Sequence, residues 1–298
     1  MLDEFKNAFQ RHNNAHVQLI LINVVIFLVI GFFWVVGEIS GMTSFSDLLY
    51  DQFTIPPKFS EFLSRPWTLI TYMFAHSRND IFHILFNMLV FYWFAKLFIE
   101  YLGSDKLIAV YVLGGLAGGL AYLLVFNLVP YFVNRSDFTG MVGASAAVYA
   151  VVVAIATLLP DYTFYLMFLG PIKIKYIAAF YVVISFLGTT QANAGGNIAH
   201  LGGALMGFIY TKQLQAGVNW GSWITITLDW IKGLFSHKAK VKVTYRKTEP
   251  VSVNSKPSSK VSKASQEEID AILDKISDGG YESLTKAEKE KLFNASKK

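Results

Sequence analysis

Four polar side chains interrupt apolar stretches of the chain at telling intervals. His83 and Asn87 fall four residues apart in IFHILFN (81–87), hence on one face of a helix. Ser145 stands among small residues in GMVGASAAVYA (140–150), with Tyr149 one turn further on. His200 lies in NIAHLGGALMGF (197–208), followed by Gly202, Gly203 and Gly207. A hydroxyl, two imidazoles and an amide are the raw material of acyl transfer: a nucleophile, a base for its proton, and donors for an oxyanion. Serine attacks poorly until a neighbouring base takes its proton, and a neutral imidazole does so near pH 7. Three of the four also have a plainer reading alone, and His200, in its glycine-flanked setting, is harder to dismiss. Ser145 fits close helix packing, His83 a cap or a side chain reaching the interface, and Asn87 a bond between helices.

The elements that must gather these residues are membrane spans. Hydrophobic residues make up 53% of the 298, in long blocks. A span needs about 20 apolar residues to cross roughly 30 Å of hydrocarbon. Six segments are candidates, the fifth and sixth shorter than this: Val17–Val36, Ile81–Ile99, Leu107–Val129, Gly140–Leu159, Ile172–Leu187 and Asn197–Tyr210. The first is too long for the apolar part of a cleaved signal peptide, and no small-residue cleavage site follows it. Lys6, Arg11, Lys96, Lys106, Lys173, Lys175 and Lys212 then fall on one side, with Lys58, Arg65, Arg78 and Arg135 on the other. The positive-inside rule puts both termini in the cytoplasm. The expected location is a bacterial cell (inner) membrane.

Spans two, four and six all run inward from the outer face. His83, Ser145 and His200 lie about two, five and three residues into them. At roughly 1.5 Å per residue they share one level to within about a helical turn, with Asn87 one turn deeper. Gly203 and Gly207 form a small-xxx-small face, which lets span six approach span four closely. Span three repeats the pattern at Gly114, Gly115, Gly118 and Gly119. A level near the outer face also admits the water that hydrolysis needs.

The remaining segments divide the chain further. Residues 1–16 form an N-terminal segment and 17–215 the six-span core. The long connection from Gly37 to Asp80 mixes Phe45, Leu48, Phe53, Phe62 and Trp67 with charges, and reads as short helices in the membrane interface. Residues 216–236 place Trp223, Ile226, Trp230 and Leu234 at helical spacing, as an interfacial amphipathic helix. Residues 237–263 carry eight Lys or Arg against one acid, Glu249: a flexible linker attracted to anionic lipid or simply a solvated tether. Residues 264–298 read as two small helices with capping boxes Ser265/Glu268 and Thr285/Glu288, a break at Gly279-Gly280, and an apolar face of Ile269, Ile272, Leu273 and Ile276. A cytoplasmic partner is expected for this element.

With HILFN, GAS (Gly143, Ala144, Ser145) and AHLGGALMG in this order, residues 15–215 resemble the rhomboid intramembrane serine proteases. The resemblance implies an all-α membrane protein: a six-transmembrane-helix bundle with an interfacial first loop, here followed by a small helical C-terminal element. It implies Ser145 as nucleophile and His200 as general base, a dyad without an acid. His83, Asn87 and the Ser145 backbone N–H would hold the oxyanion. Tyr149 would stack on the His200 ring, and Gly143, Gly203 and Gly207 would support the close contacts. A gate near span five would admit a substrate helix. Two departures stand out. Ala146 replaces a second glycine of many members, which would crowd span six. The first loop reads RPWT (65–68) where many members have Trp-Arg.

The function implied is an intramembrane serine endopeptidase acting on peptide bonds in or near transmembrane helices. The alternative is a catalytically silent rhomboid-like protein that binds such helices. A transporter would show internal repeats or broken helices at the midplane, and none is evident. No metal or cofactor is called for: there is no HExxH, no cysteine, and no carboxylate inside a span at the level of the two histidines. His76, with Asp80 nearby, reads as an interfacial loop residue. Transmembrane substrates and membrane lipids are the expected partners, with no nucleic acid.

Overall fold

The computed structural model describes residues 6–9, 13–133, 140–166, 170–235 and 266–295. Arg11, Arg135, the basic linker and Ser265 lie outside them. The chain divides into two compact units, residues 1–237 and 238–298.

In the first unit the long helices are α1 (Ala15–Ser40), α3 (Ile81–Leu102), α4 (Ser104–Leu128), α5 (Ser145–Leu158), α6 (Ile174–Leu187) and α7 (Ala194–Gln215). Helix α2 (Thr43–Asp51) and single turns at Phe59–Phe62 and Thr68–Thr71 fill the loop after α1. Helices α1, α3 and α4 are long and apolar enough to cross a membrane, and two shorter apolar helices cover Ser145–Leu158 and Ile174–Thr190. Helix α1 ends where Gly41 takes a left-handed turn (φ 71°), and α3 ends at Gly103, also at positive φ (81°) but extended in ψ.

Helix α5 is the centre of the bundle, with Ala146–Val152 and Ala154–Ala156 all buried. It does not begin at Gly140, as hydropathy suggests. Residues 140–143 are non-helical instead, and Ala144 turns into the helix. The Ile55 N–H donates to the Met141 carbonyl at 2.9 Å, and the Met141 N–H returns to the Ile55 carbonyl at 2.8 Å. The Gly143 N–H donates to the Tyr72 carbonyl at 3.1 Å. Apolar surroundings tolerate non-helical backbone only where protein satisfies its polar groups, and the loop after α1 supplies those partners. Fourteen helical residues rise only about 21 Å, short of a hydrocarbon core of roughly 30 Å.

The loop is itself anchored. Arg65 donates to the Asp51 carbonyl at 3.1 Å and pairs with its carboxylate at 3.2 Å; Arg78 reaches Asp47 at 2.7 Å. Thr71 Oγ1 donates to the Gln52 carbonyl at 2.6 Å, and Tyr72 Oη to that of Gly115 at 2.5 Å. Thr68, the residue after Trp67, is fully buried and bonds back to the Arg65 carbonyl at 2.7 Å.

Small residues set the helix spacing. A Cβ on Gly203 or Gly207 of α7 would overlap the carbonyl oxygen of Ala146 or Ala150 on α5. The Ala146 methyl does not crowd α7. It points at Gly118 of α4, where an added Cβ would stand 2.5 Å from it. Helix α6 is held by a narrower stripe: Ile174, Ala178 and Ser185 are buried, while Tyr176, Phe180, Val183, Ile184 and Leu187 are exposed.

An all-helical reading needs one correction. Strands β1 (Thr163–Leu166) and β2 (Gly170–Lys173) pair antiparallel between α5 and α6. Ile172, read as the start of span five, is therefore in a strand, and α6 begins at Ile174. At the hairpin base Lys173 and Lys175 bond Asp161 at 2.9 and 2.8 Å, and they hold its carboxyl down at about 2, Lys175 most of all. After α7, helix α8 (Ser222–Phe235) exposes Trp223, Ile226, Trp230 and Leu234 and buries Ile224.

The second unit contains α9 (Gln266–Gly279) and α10 (Lys286–Ala295), separated by Gly280 at φ 76°. The Thr285/Glu288 box is formed: the Thr285 N–H donates to Glu288 at 2.7 Å, and the Glu288 N–H to Thr285 Oγ1 at 3.4 Å. The Thr285 amide, with Lys275 at 2.9 Å, holds the Glu288 carboxyl down at about 2. Ile272 is buried, but Leu273 is 48% exposed, so the expected apolar face is narrower by one residue.

Candidate active site

Three helices start at the same end of the bundle and deliver the polar residues there. Asp80 caps α3, accepting from the N–H groups of Phe82 and His83 at 3.0 and 3.2 Å. This fixes the helix start just ahead of His83. Asn87 follows one turn later and donates to the His83 carbonyl at 2.8 Å, which uses one of its two amide hydrogens.

Ser145 is the first residue of α5 rather than the fifth of a longer helix. The residues before it, 140–143, are not helical. Its new position leaves the Ser145 backbone N–H without an intrahelical acceptor, at the positive end of the helix. Gly143, two residues earlier, has φ 145°, which side-chain-bearing residues avoid. A Cβ there would stand 3.3 Å from His83 Cε1 and 3.5 Å from Ser145 Oγ, inside the site. Conformation and space both call for glycine.

His200, on the second turn of α7, presents Nε2 to Ser145 Oγ at 2.7 Å. The Tyr149 ring stacks on the imidazole, with centroids 4.1 Å apart and planes 12° from parallel. Gly203 lies one turn after His200, so the backbone contact with Ala146 holds the two helices at the separation this bond requires.

All five residues line one cavity of about 320 Å³: His83, Asn87, Ser145, Tyr149 and His200, together with Asp80, Phe86, Tyr181 and Asn193. Among the described residues no group of acids and histidines is arranged to hold a metal.

Two residues were misjudged or missed from sequence. His76 is no interfacial residue. It is 1% exposed, its ring lies 5.3 Å from that of His83, and both its nitrogens are buried without a hydrogen-bond partner. The loop threads its 72–76 stretch through the core, burying Tyr72, Met73 and Ala75 as well. Ser185 on α6 is fully buried and touches both Tyr149 and His200. A lone serine in an apolar helix gives no signal beyond its polarity.

A family model described as the Rhomboid domain matches residues 63–216, and a family of unknown function matches residues 259–298. Rhomboid-like protein 12, mitochondrial, of Arabidopsis thaliana is 31% identical over 50% of this chain and 47% of its own length. The mitochondrial presenilin-associated rhomboid-like protein of Mus musculus is 29% identical over 51% of this chain and 38% of its own. A mitochondrial rhomboid protein of Schizosaccharomyces pombe is 27% identical over 39% and 41%. The chain thus spans less than half the length of each of these relatives. Their mitochondrial assignment overturns the expected bacterial inner membrane, and with it the naming of the terminal side as cytoplasmic. Charge bias around spans orders the two sides of a membrane but does not identify the membrane.

Proposed function

The chain belongs to the rhomboid family, and from this we propose that it is an intramembrane serine endopeptidase, cutting peptide bonds in or near the transmembrane helices of other membrane proteins. The observation that carries the reading is the 2.7 Å approach of His200 Nε2 to Ser145 Oγ inside a cavity. In this reading α1 and α3 to α7, the 14-residue α5 and α6 included, serve as spans of a mitochondrial membrane protein.

Ser145 Oγ attacks the scissile carbonyl carbon while its proton passes to His200 Nε2. The carbonyl oxygen becomes an oxyanion, met by the free N–H at the start of α5, by His83 and by the second amide hydrogen of Asn87. His200 then gives the proton to the departing amine. Water deprotonated by the same nitrogen later releases the acyl group. Helical carbonyls are already occupied by hydrogen bonds, so substrates must unwind locally. They are expected to carry small or helix-weakening residues near the membrane end that meets the site.

The test is a fluorophosphonate probe applied to the full chain in membranes, followed by mapping of the modified residue. Labelling at Ser145 is expected. An unlabelled, folded protein would favour a helix-binding member without hydrolytic activity. His83→Ala and Asn87→Ala are each expected to lower turnover by about 10- to 100-fold without eliminating it, because the donors share one oxygen. Complete loss in a stably folded Asn87→Ala protein would contradict that sharing.

A further inference from the structure

The reaction proposed above occupies one nitrogen of the His200 ring, and the other is also engaged. Nδ1 lies 3.1 Å from Ser185 Oγ on α6. The Ser185 hydroxyl in turn donates to Tyr149 Oη at 3.0 Å. Ser185 is 0% exposed, so water cannot stand in for either partner.

A serine hydroxyl has one hydrogen and can accept others on its oxygen. With that hydrogen on Tyr149, Ser185 accepts from Nδ1. In this arrangement Nδ1 carries the ring proton, and Nε2 is bare and aimed at Ser145 Oγ 2.7 Å away. The opposite arrangement, with Ser185 donating to Nδ1, would put a hydrogen on Nε2 and remove the lone pair that the reaction needs.

We propose that Ser185 is a positioning residue for the dyad: its hydroxyl, tied to Tyr149, selects the Nδ1–H tautomer of His200 and fixes the plane of the ring. The inference rests on the reading of Ser145 and His200 as nucleophile and base. Ser185 touches no reacting atom. When Nε2 takes the serine proton, Nδ1 remains a donor, and its bond to Ser185 becomes charge-assisted. The same hydroxyl holds the Tyr149 ring flat against the imidazole. One neutral group from α6 therefore performs the orienting task that an acid performs in a three-residue system.

The experiment compares the full-length wild type, Ser185→Ala and Ser185→Thr in detergent. Imidazole nitrogen NMR on histidine-labelled protein reads the tautomer, with the His200 signals identified by their loss in His200→Ala. A single Nδ1–H form is expected in the wild type, and a mixture of both tautomers in Ser185→Ala. Fluorophosphonate labelling of Ser145 and substrate turnover should each fall about tenfold in Ser185→Ala, with KM unchanged, as for the loss of one hydrogen bond in the transition state. Ser185→Thr keeps the hydroxyl and should stay within about threefold of the wild type. An unchanged tautomer and labelling rate in Ser185→Ala would overturn the proposal. So would equal losses in Ala and Thr that track lowered thermal stability, since packing alone would then explain them. A wild type that never labels would instead defeat the protease reading, and the tautomer comparison would still decide the role of Ser185.

Discussion

Ser145→Ala and His200→Ala are each expected to abolish cleavage of a single-span membrane substrate, by about 10⁴-fold or more, while the protein still accumulates in the membrane. The size of the loss follows from the geometry. With Nε2 and Oγ 2.7 Å apart, neither group acts without the other. An unassisted serine keeps its proton at neutral pH, and a bare imidazole has no hydroxyl to activate. The double variant should therefore be no slower than either single variant, because residues that act as a unit are strongly non-additive. The fold should tolerate both changes. Ser145→Ala, at the first position of its helix, breaks the bond to His200 and leaves a methyl in its place, and His200→Ala removes one stacked ring and its bonds at the edge of a cavity. Gel-based cleavage with matched protein levels decides the matter. Cleavage persisting in both single variants would remove the dyad from the account.

Gly203→Val is expected to produce the second-largest effect, through packing alone. A Cβ at this position would overlap the Ala146 carbonyl oxygen, which is backbone and cannot rotate aside. Relief requires α5 and α7 to separate. Overpacking of this kind typically costs about 1–3 kcal/mol, and a rigid backbone partner puts the change at the upper end. The separation also stretches the bond between Ser145 and His200, since His200 sits one turn from Gly203. Thermal melting in detergent and the cleavage assay should fall together. Gly31→Ala on α1 is the matched control: nothing stands within 4 Å of its added Cβ, so stability and activity should hold or rise slightly. A Gly203→Val protein with wild-type melting would show that the two helices can move apart freely.

The chemistry was more legible in the sequence than the architecture around it. A histidine, a serine or an asparagine inside an apolar run is conspicuous, and the common direction of spans two, four and six brings the three levels together before any coordinates are consulted. The Tyr149–His200 stack follows from helical spacing combined with the resemblance. What stayed hidden depended on partners distant in sequence. Residues 140–143 are as apolar as many helices, and their bonds to Ile55 and Tyr72 hold them out of the helix. The hairpin at Thr163–Lys173 is apolar enough to pass for the edge of a span. His76 was misread because a polar loop residue is usually exposed, whereas this loop runs through the core. Ser185 is a single small polar residue whose role depends on two side chains from other helices.

The bridge between Ile55 and Met141 carries a further implication for how the protein comes into being. The register of the nucleophile's helix is not written locally; it depends on an amide supplied far upstream, ahead of the stretch that the family model matches. A chain threaded into the bilayer piece by piece has its hydrophobic segments in place before so distant a pairing closes, because bringing remote backbone together is the slow part of assembly. Until that closure, the start of α5 at Ser145 lacks the bonded backbone that precedes it.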